Sequence, residues 1–508
     1  MQSIDDRGPP PPCPAPFNLV SHVLASAATT PDKIALAVLT PARAERWSYG
    51  RLAAAVAGVA GALAARHAPG DRVLLRLGNS VAFPVAFLGA IAADVIPVPV
   101  SAQLTAAEIS ALLPALAPAR ILADAALPLP DTDMPITGLP EIKAWHDHAP
   151  ATALLGDPER PAFIVYTSGT SGAPRGVVHA HRAIWARGLM RDGWYGLTRD
   201  DRVLHAGALN WTFTLGTGLL DPWVAGATAL IPGPGVTPRQ LPLLLRRHEA
   251  TLFAAAPGLY RQMLATGQRL DLPKLRHGLS AGEKLPDTTR AAWETATGRP
   301  VFEAFGMSEC STFLSASPTR HAPEGTLGFA QPGRRLAILG PQGTPVPRGT
   351  SGTIAIHRSD PGLMLGYLGH AEEAAARFSG DWFLTGDLGQ MAENGAITYL
   401  GRGDDMMNAG GLRVSPLEVE AVLQRFPGIV EAAATEITVK AGTTVIAAFY
   451  HADAALDEAA LSAHISTHLA RYKQPRLLIP VDALPRSANG KLRRKALRSA
   501  YEAEHGAS

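Results

Sequence analysis

Short apolar runs at residues 72–77, 119–123, 163–166, 203–205, 227–231 and 252–256 recur along the first half of the chain, separated by alanine- and leucine-rich stretches of helical composition. Runs of this length are the pattern of strands buried on both faces, and intervening helices supply the crossovers that parallel strands need. The chain is thereby confined to an α/β architecture of helix-covered sheets. At 508 residues it is too long for one ordinary core, so at least two domains are expected. After about residue 325 the texture changes: "GTPVPRGTSGTIAIHRSDPGLMLGYL" is rich in glycine and proline, which predicts antiparallel strands or a small barrel. A further helix is predicted to start with Ser415 as N-cap, Pro416 as first helical residue and Glu418 closing a capping box. The glycine- and aspartate-rich segment before it marks a domain boundary, and no internal repeat is evident.

Composition excludes several classes. A hydrophobic content of 47% with 18% charged residues is that of a folded chain, and 46 basic against 44 acidic residues, net +2, give no global field for nucleic acid or anionic membrane. Cys13 and Cys310 are the only cysteines, which argues against a disulfide framework or zinc cluster and favours a reducing, cytoplasmic setting. The start, "MQSIDDRGPPPPCPAP", does not resemble a secretory signal; residues 1–16 read as a disordered or extended lead. The most apolar later stretch, 81–100, contains Asp94, Pro84, Pro97 and Pro99, so it reads as a buried helix followed by a strand, not a membrane span. The final "EAEHGAS" carries no lipidation or peroxisomal signal.

The stretch "YTSGTSGAPRG" at 166–176 follows an apolar run, and a helix is expected at 179–189 beyond it. Glycine-freed backbone N–H groups, the hydroxyls of Thr167, Ser168, Thr170 and Ser171, and the guanidinium of Arg175 make a nest suited to phosphate oxygens. An ordinary solvated turn has the same residue types. It is not a Walker loop, since the one Gly-Lys pair, Gly490-Lys491, is followed by Leu492. A separate pattern, "GLSAG" at 278–282, fits the nucleophile elbow of hydrolases with Ser280 as nucleophile.

Five motifs in order resolve the choice. "YTSGTSGAPRG", "FEAFGMSE" at 302–309, "LTGDLG" at 384–389, "GRGDDMMNAGGLRVSPLEVE" at 401–420 and "LPRSANGKLRR" at 484–494 resemble the phosphate loop, central motif, ribose motif, hinge and catalytic carboxyl-terminal loop of the adenylate-forming superfamily of acyl-CoA synthetases, adenylation domains and luciferases. The resemblance runs from about residue 17 to the end. It implies two helix-covered β-sheets plus a small distorted barrel over 17–403, which would hold the acyl and ATP sites, and a mobile α+β lid over 404–508 hinged at Asp404.

The resemblance also implies a reaction. ATP and Mg²⁺ would convert a carboxylate to an acyl-adenylate, and the thiol of CoA would take the acyl group and release AMP. Lys491 would bridge the carboxylate and α-phosphate, because negative charges have to be brought together there. Glu309 would hold Mg²⁺ as a hard oxygen ligand; Asp387 would accept from both ribose hydroxyls; Arg402 and Arg413 would face ribose and phosphate. Thr167, Ser168, Gly169, Thr170, Ser171, Gly172 and Arg175 would cradle the phosphates, with arginine where lysine is more usual in the family. Gly282, Glu283 and Phe305, with Gly306 and Ser308, would receive the AMP moiety; Phe305 could equally be core. Gly410 and Gly411 would flank the pantetheine channel in a second conformation.

"HAGALNWTFTLGTGLLDP" at 205–222 and "SAGEKLP" at 280–286 look closer to the aryl-CoA ligase branch, including benzoate-CoA ligases. That implies an acyl pocket lined by Trp211, Ala304, Gly306 and Phe313, apolar enough for a hydrophobic aromatic, alicyclic or medium-chain monocarboxylate. Within the family the alternative acceptor is a carrier-protein phosphopantetheine. Outside it stand a non-catalytic nucleotide-binding protein and a Ser280 hydrolase. The protein is expected to act on small molecules as a monomer or homodimer, without nucleic acid or a membrane span.

Overall fold

The computed structural model of the chain describes residues 1–6, 8, 10–168, 174–403, 405–409, 412–440, 443–487 and 490–505. Its largest sheet has nine strands, in the order Phe329–Ala330, Ser311–Ser315, Val301–Met307, His277–Ser280, Leu252–Ala255, Arg202–His205, Thr228–Pro232, Ile34–Leu39 and Ala44–Ser48. The strands from Val301–Met307 to Ile34–Leu39 run parallel, while both edges turn antiparallel. The central strands Thr228–Pro232, Leu252–Ala255 and His277–Ser280 are buried along their whole length, which suits the apolar run of Leu252–Ala255 and the apolar middle of Thr228–Pro232. A second parallel sheet orders Ile96–Pro99, Arg72–Arg76, Arg120–Ala123 and Ile136–Gly138. The helix Ala82–Ala92 is buried almost all round and leads into Ile96–Pro99, as the sequence implies for 81–100. Among the described residues no helix is long and apolar enough to cross a membrane.

The glycine-rich region forms a six-stranded sheet of Ile4–Asp5, Leu336–Leu339, Ser351–His357, Trp382–Met391, Phe378–Ser379 and Ile397–Arg402. Burial alternates strictly along Trp382–Met391, the period of a strand with one face in the core. The smaller domain pairs Ile429–Lys440 with Thr443–Ala452 antiparallel and adds Leu477–Pro480 in parallel. The helices Pro416–Gln424 and Arg494–His505 flank the strand Ile429–Lys440.

Three local expectations are corrected. The first residues are not a free lead: Ile4 and Asp5 pair with Ala337 and Leu336, and Asp6 forms an ion pair with Arg335 at 2.7 Å, so a sheet edge captures them. The phosphate stretch does not open a helix at 179. It joins two antiparallel strands, Pro161–Ser168 and Pro174–Ala180, and the helix begins only at Ala183; Val177 and Val178 suit the strand better than a helical turn. Ser415 does precede the helix Pro416–Gln424, but no capping bond forms. Glu418 is drawn instead to Lys473, and the Ser415 hydroxyl is buried without a partner.

Candidate active site

The parallel strands of the large sheet end on one side, and open α/β sheets place ligands at the carboxyl ends of their strands. Gly282 follows His277–Ser280, Ala304 to Gly306 lie on Val301–Met307, and Trp211 lies beyond Arg202–His205. Apart from Trp211, these residues line a cleft of ≈340 Å³ whose walls include Gly282, Glu283, Ala304, Phe305, Gly306, Asp387, Arg402 and, from the smaller domain, Lys491. These sequence-predicted residues share one cleft, whereas Arg175, Ser308 and Glu309 do not line it.

Two glycines are dictated by space. At Gly282, φ is +99° and a Cβ would lie 2.6 Å from the Trp211 ring. At Gly306 a Cβ would lie 2.3 Å from the Ser311 carbonyl oxygen and 2.5 Å from Thr312 Cα, so no side chain fits.

Asp387 falls on the buried face of its strand by simple alternation. Register sets it opposite Arg402, whose Nη1 is 4.0 Å from Oδ1, and the Tyr399 hydroxyl donates to the same oxygen at 3.2 Å. Burial pushes the Asp387 carboxyl up to about 6, against the opposing pull of Arg402, Tyr399 and Lys491. Phe305 packs on Tyr399 with ring centroids 5.0 Å apart, so one face of Phe305 is tied to the ribose-side cluster.

The loop that carries Lys491 docks directly on this cleft. Glu283 Oε1 accepts from the Leu492 N–H at 3.0 Å, and Glu283 faces Arg486 at 3.3 Å. Arg486 also reaches Glu431 at 3.4 Å, and Glu431 pairs with Arg261. Glu283 thus anchors the loop that carries Lys491; burial raises its carboxyl above the usual range, and Arg486 opposes that. The motif gave no signal for Arg486 as a separate functional residue, since only its fit against Glu283 and Glu431 reveals it.

Glu309 accepts from the Tyr367 hydroxyl at 2.7 Å, and Tyr367 lies opposite Val177 on the hairpin that carries the phosphate loop. One carboxylate beside that loop fits Mg²⁺, which keeps waters and substrate phosphates as its other ligands. Among the described residues no group of three or more acidic, histidine or cysteine side chains is placed to hold a metal ion. Arg175 pairs with Glu373 at 2.6 Å. Gly169, Thr170, Ser171, Gly172, Asp404, Gly410 and Gly411 lie outside the described residues. Thr167 and Ser168 end the first hairpin strand and Arg413 lies on Leu412–Val414, but their side chains fall outside the description too.

A smaller cavity of ≈40 Å³ continues inward from the cleft, lined by Trp211, Phe213, Gly282, Gly306, Ser308 and Lys491 and also by the polar Arg187, Thr217, Ser311 and Thr312. Phe313 does not join it. It is fully buried on the other side of its strand, against Phe305 and the core around Cys310 and Leu336. The pocket is therefore more polar than the sequence suggested. Ser280 makes no nucleophile elbow: its hydroxyl is buried and, among the described residues, bonded to nothing.

Comparison with known proteins agrees. The family model of AMP-binding enzymes matches residues 23–368, and that of the AMP-binding enzyme C-terminal domain matches 418–491. A benzoate–CoA ligase of Thauera aromatica is 32% identical over 468 residues, 85% of this chain and 86% of that protein. The structure of a benzoate CoA ligase from Burkholderia xenovorans LB400 superposes with a TM-score of 0.83 at 30% identity, covering 95% of this chain and 100% of that one. ATP-bound MatB from Rhodopseudomonas palustris gives 0.87 at 26% identity, covering 96% and 99%, and its apo form gives 0.79. The chain belongs to the adenylate-forming family of AMP-binding enzymes, on its benzoate–CoA ligase-like branch.

Proposed function

We propose that the protein is an AMP-forming ligase that joins an aromatic or medium-chain monocarboxylic acid to CoA through an acyl-adenylate. The observation that carries this reading is the convergence of Lys491, Asp387 and Arg402 with the Trp211 cavity in one cleft, with Lys491 lining both the cleft and the cavity. A carboxylate at the mouth of the cavity would attack the α-phosphorus of ATP; the new bond joins its oxygen to phosphorus, and the Pα–O bond to pyrophosphate breaks. Lys491 supplies positive charge where carboxylate and phosphate oxygens crowd together. Asp387 holds the ribose hydroxyls, with Tyr399 and Arg402 fixing its orientation. Gly169, Thr170, Ser171 and Gly172 cradle the phosphates, while Glu309 holds Mg²⁺, which neutralises phosphate charge.

The docking of Leu492 and Arg486 on Glu283 supports assigning this arrangement to adenylation. Rotation about Asp404 would then withdraw Lys491 and bring Gly410 and Gly411 to the CoA channel, so that the thiol attacks the acyl carbonyl and AMP leaves. No protein nucleophile is needed. The free thiols of Cys13 and Cys310 support a reducing, cytoplasmic setting.

The test is AMP release with Mg-ATP across benzoate, cyclohexane carboxylates and linear acids, each with and without CoA. Acid-dependent AMP release that requires CoA is expected. Acid-dependent pyrophosphate without CoA turnover would move the acceptor to a carrier protein, and no response to any acid would overturn the reading.

A further inference from the structure

The inner end of the acyl cavity is built around a buried ion pair that no motif announces. Arg187, on the helix Ala183–Gly188, is 8% exposed and donates from Nε and Nη2 to the two oxygens of Asp221 at 2.8 and 2.5 Å. The Tyr195 hydroxyl donates to Asp221 at 2.6 Å, and Arg187 Nη2 also reaches Tyr195 and Thr217 at 3.1 and 3.3 Å. Nη1 donates to the Ser311 hydroxyl. The guanidinium fills the space over Gly216, where a Cβ would lie 2.2 Å from its Cζ.

Burying such a pair costs several kcal/mol per ion and stabilises little more than apolar packing would. Here its Arg187 member lines the ≈40 Å³ cavity and a second one of ≈30 Å³, both of which are also lined by Ser308 and Ser311. The larger holds roughly three waters.

The hydrogen-bond inventory decides what the floor recognises. Four of the five guanidinium N–H groups go to Asp221, Tyr195 or Thr217, and Ser311. One Nη1–H remains, and the Ser311 hydroxyl, which accepts from Arg187, keeps its own proton to donate. Arg187 and Ser311 both line the cavity, so among the described residues these two donors are left for a ligand there. Asp221 balances the charge of Arg187, and nearby His179 and His205 are kept neutral because burial lowers each to about 3. A second carboxylate would leave the floor with net negative charge.

We propose that Arg187, held by Asp221, and Ser311 select an acid whose far end carries an uncharged hydrogen-bond acceptor, a hydroxyl or carbonyl oxygen, over the unsubstituted acid and over a dicarboxylate. This rests on the ligase reading above and names the substrate class of that same pocket. Losing the acceptor leaves the two buried donors unpaired at about 1–3 kcal/mol each, so a preference of at least about tenfold in kcat/KM follows.

The experiment measures CoA-dependent AMP release for benzoate, 3-hydroxybenzoate and 4-hydroxybenzoate, and for hexanoate, 6-hydroxyhexanoate and adipate. At least one hydroxy acid is expected to exceed its parent by about tenfold or more. A charge-balanced double variant, Arg187→Met with Asp221→Leu, which strands no buried charge, should shrink that ratio about fivefold or more by removing the guanidinium donor. Parents turned over as well as their hydroxy acids, a ratio unmoved in the double variant, or adipate as the best substrate would each overturn the proposal while leaving the ligase intact. Failure of every acid would instead overturn the ligase reading on which it stands.

Discussion

On the nucleotide side of the cleft the charged groups sit on paired strands and tight turns, Asp387 opposite Arg402 and Tyr399 bonded across to Asp387. On the acyl side the charges are sunk below the surface, Arg187 and Asp221 arriving from separate helices and meeting only in the folded core. The first kind of site, proposed to bind ATP, needs short-range geometry that turn and strand residues encode. The second, proposed to discriminate among acids, has its geometry set by packing between distant segments. Chemistry and specificity are thus written at different ranges of the same chain.

The largest expected effect tests whether both sides depend on one shared wall. Gly306 lines cleft and cavity, so Gly306→Val drives a side chain into the Ser311–Thr312 backbone and should lower turnover at least about 100-fold, with a lower melting temperature by calorimetry. Asp387→Asn should act on the nucleotide side alone. It replaces a charged acceptor by a neutral one, so the KM for ATP should rise roughly 10- to 100-fold with the ranking of acids unchanged.

Asp387 also gives that side a pH signature. Its carboxyl stands raised to about 6 in the nucleotide-free protein, against about 3.9 in an unfolded chain. Its favourable contribution to stability is then complete below pH about 4 and lost as pH rises through about 6. Asp387→Asn should melt above wild type at pH 8, and the gap should close below pH 4. Wild-type affinity for ATP should fall as pH drops through about 6, a dependence the variant lacks.

Glu283→Gln weakens the docking of the Lys491 loop and should slow acyl-adenylate formation about tenfold. Thioester formation from supplied acyl-adenylate should change little, as stopped assays of each half-reaction would read. The smallest effect is a control outside both halves: Ser415→Ala removes a buried hydroxyl that caps nothing, so stability should stay within about 0.5 kcal/mol of wild type or rise, instead of losing the usual cap energy of about 1 kcal/mol.

What the sequence revealed follows the same division. Gly282, Gly306, Asp387 and Lys491 were legible because each belongs to a local arrangement that few other residues satisfy. The parallel strands were legible because full burial leaves unbroken apolar runs. Phe313 was misplaced because a bulge between Phe305 and Gly306 shifts the register, and Thr312, not Phe313, meets the cavity. The Ser415 capping box failed because Lys473, 55 residues from Glu418, outcompeted a local bond. Arg187 and Asp221 belong to no motif, and the packed fold is what brings them together.

One measurement bears most directly on the claim that a single cleft runs two half-reactions: acid-dependent exchange of labelled pyrophosphate into ATP without CoA, set beside thioester formation from supplied acyl-adenylate and CoA, in wild type and Lys491→Ala. Wild type should perform both, while Lys491→Ala should lose exchange by about 100-fold or more and retain most thioester formation. Equal loss of both reactions in Lys491→Ala, or no exchange in wild type with any acid, would contradict it.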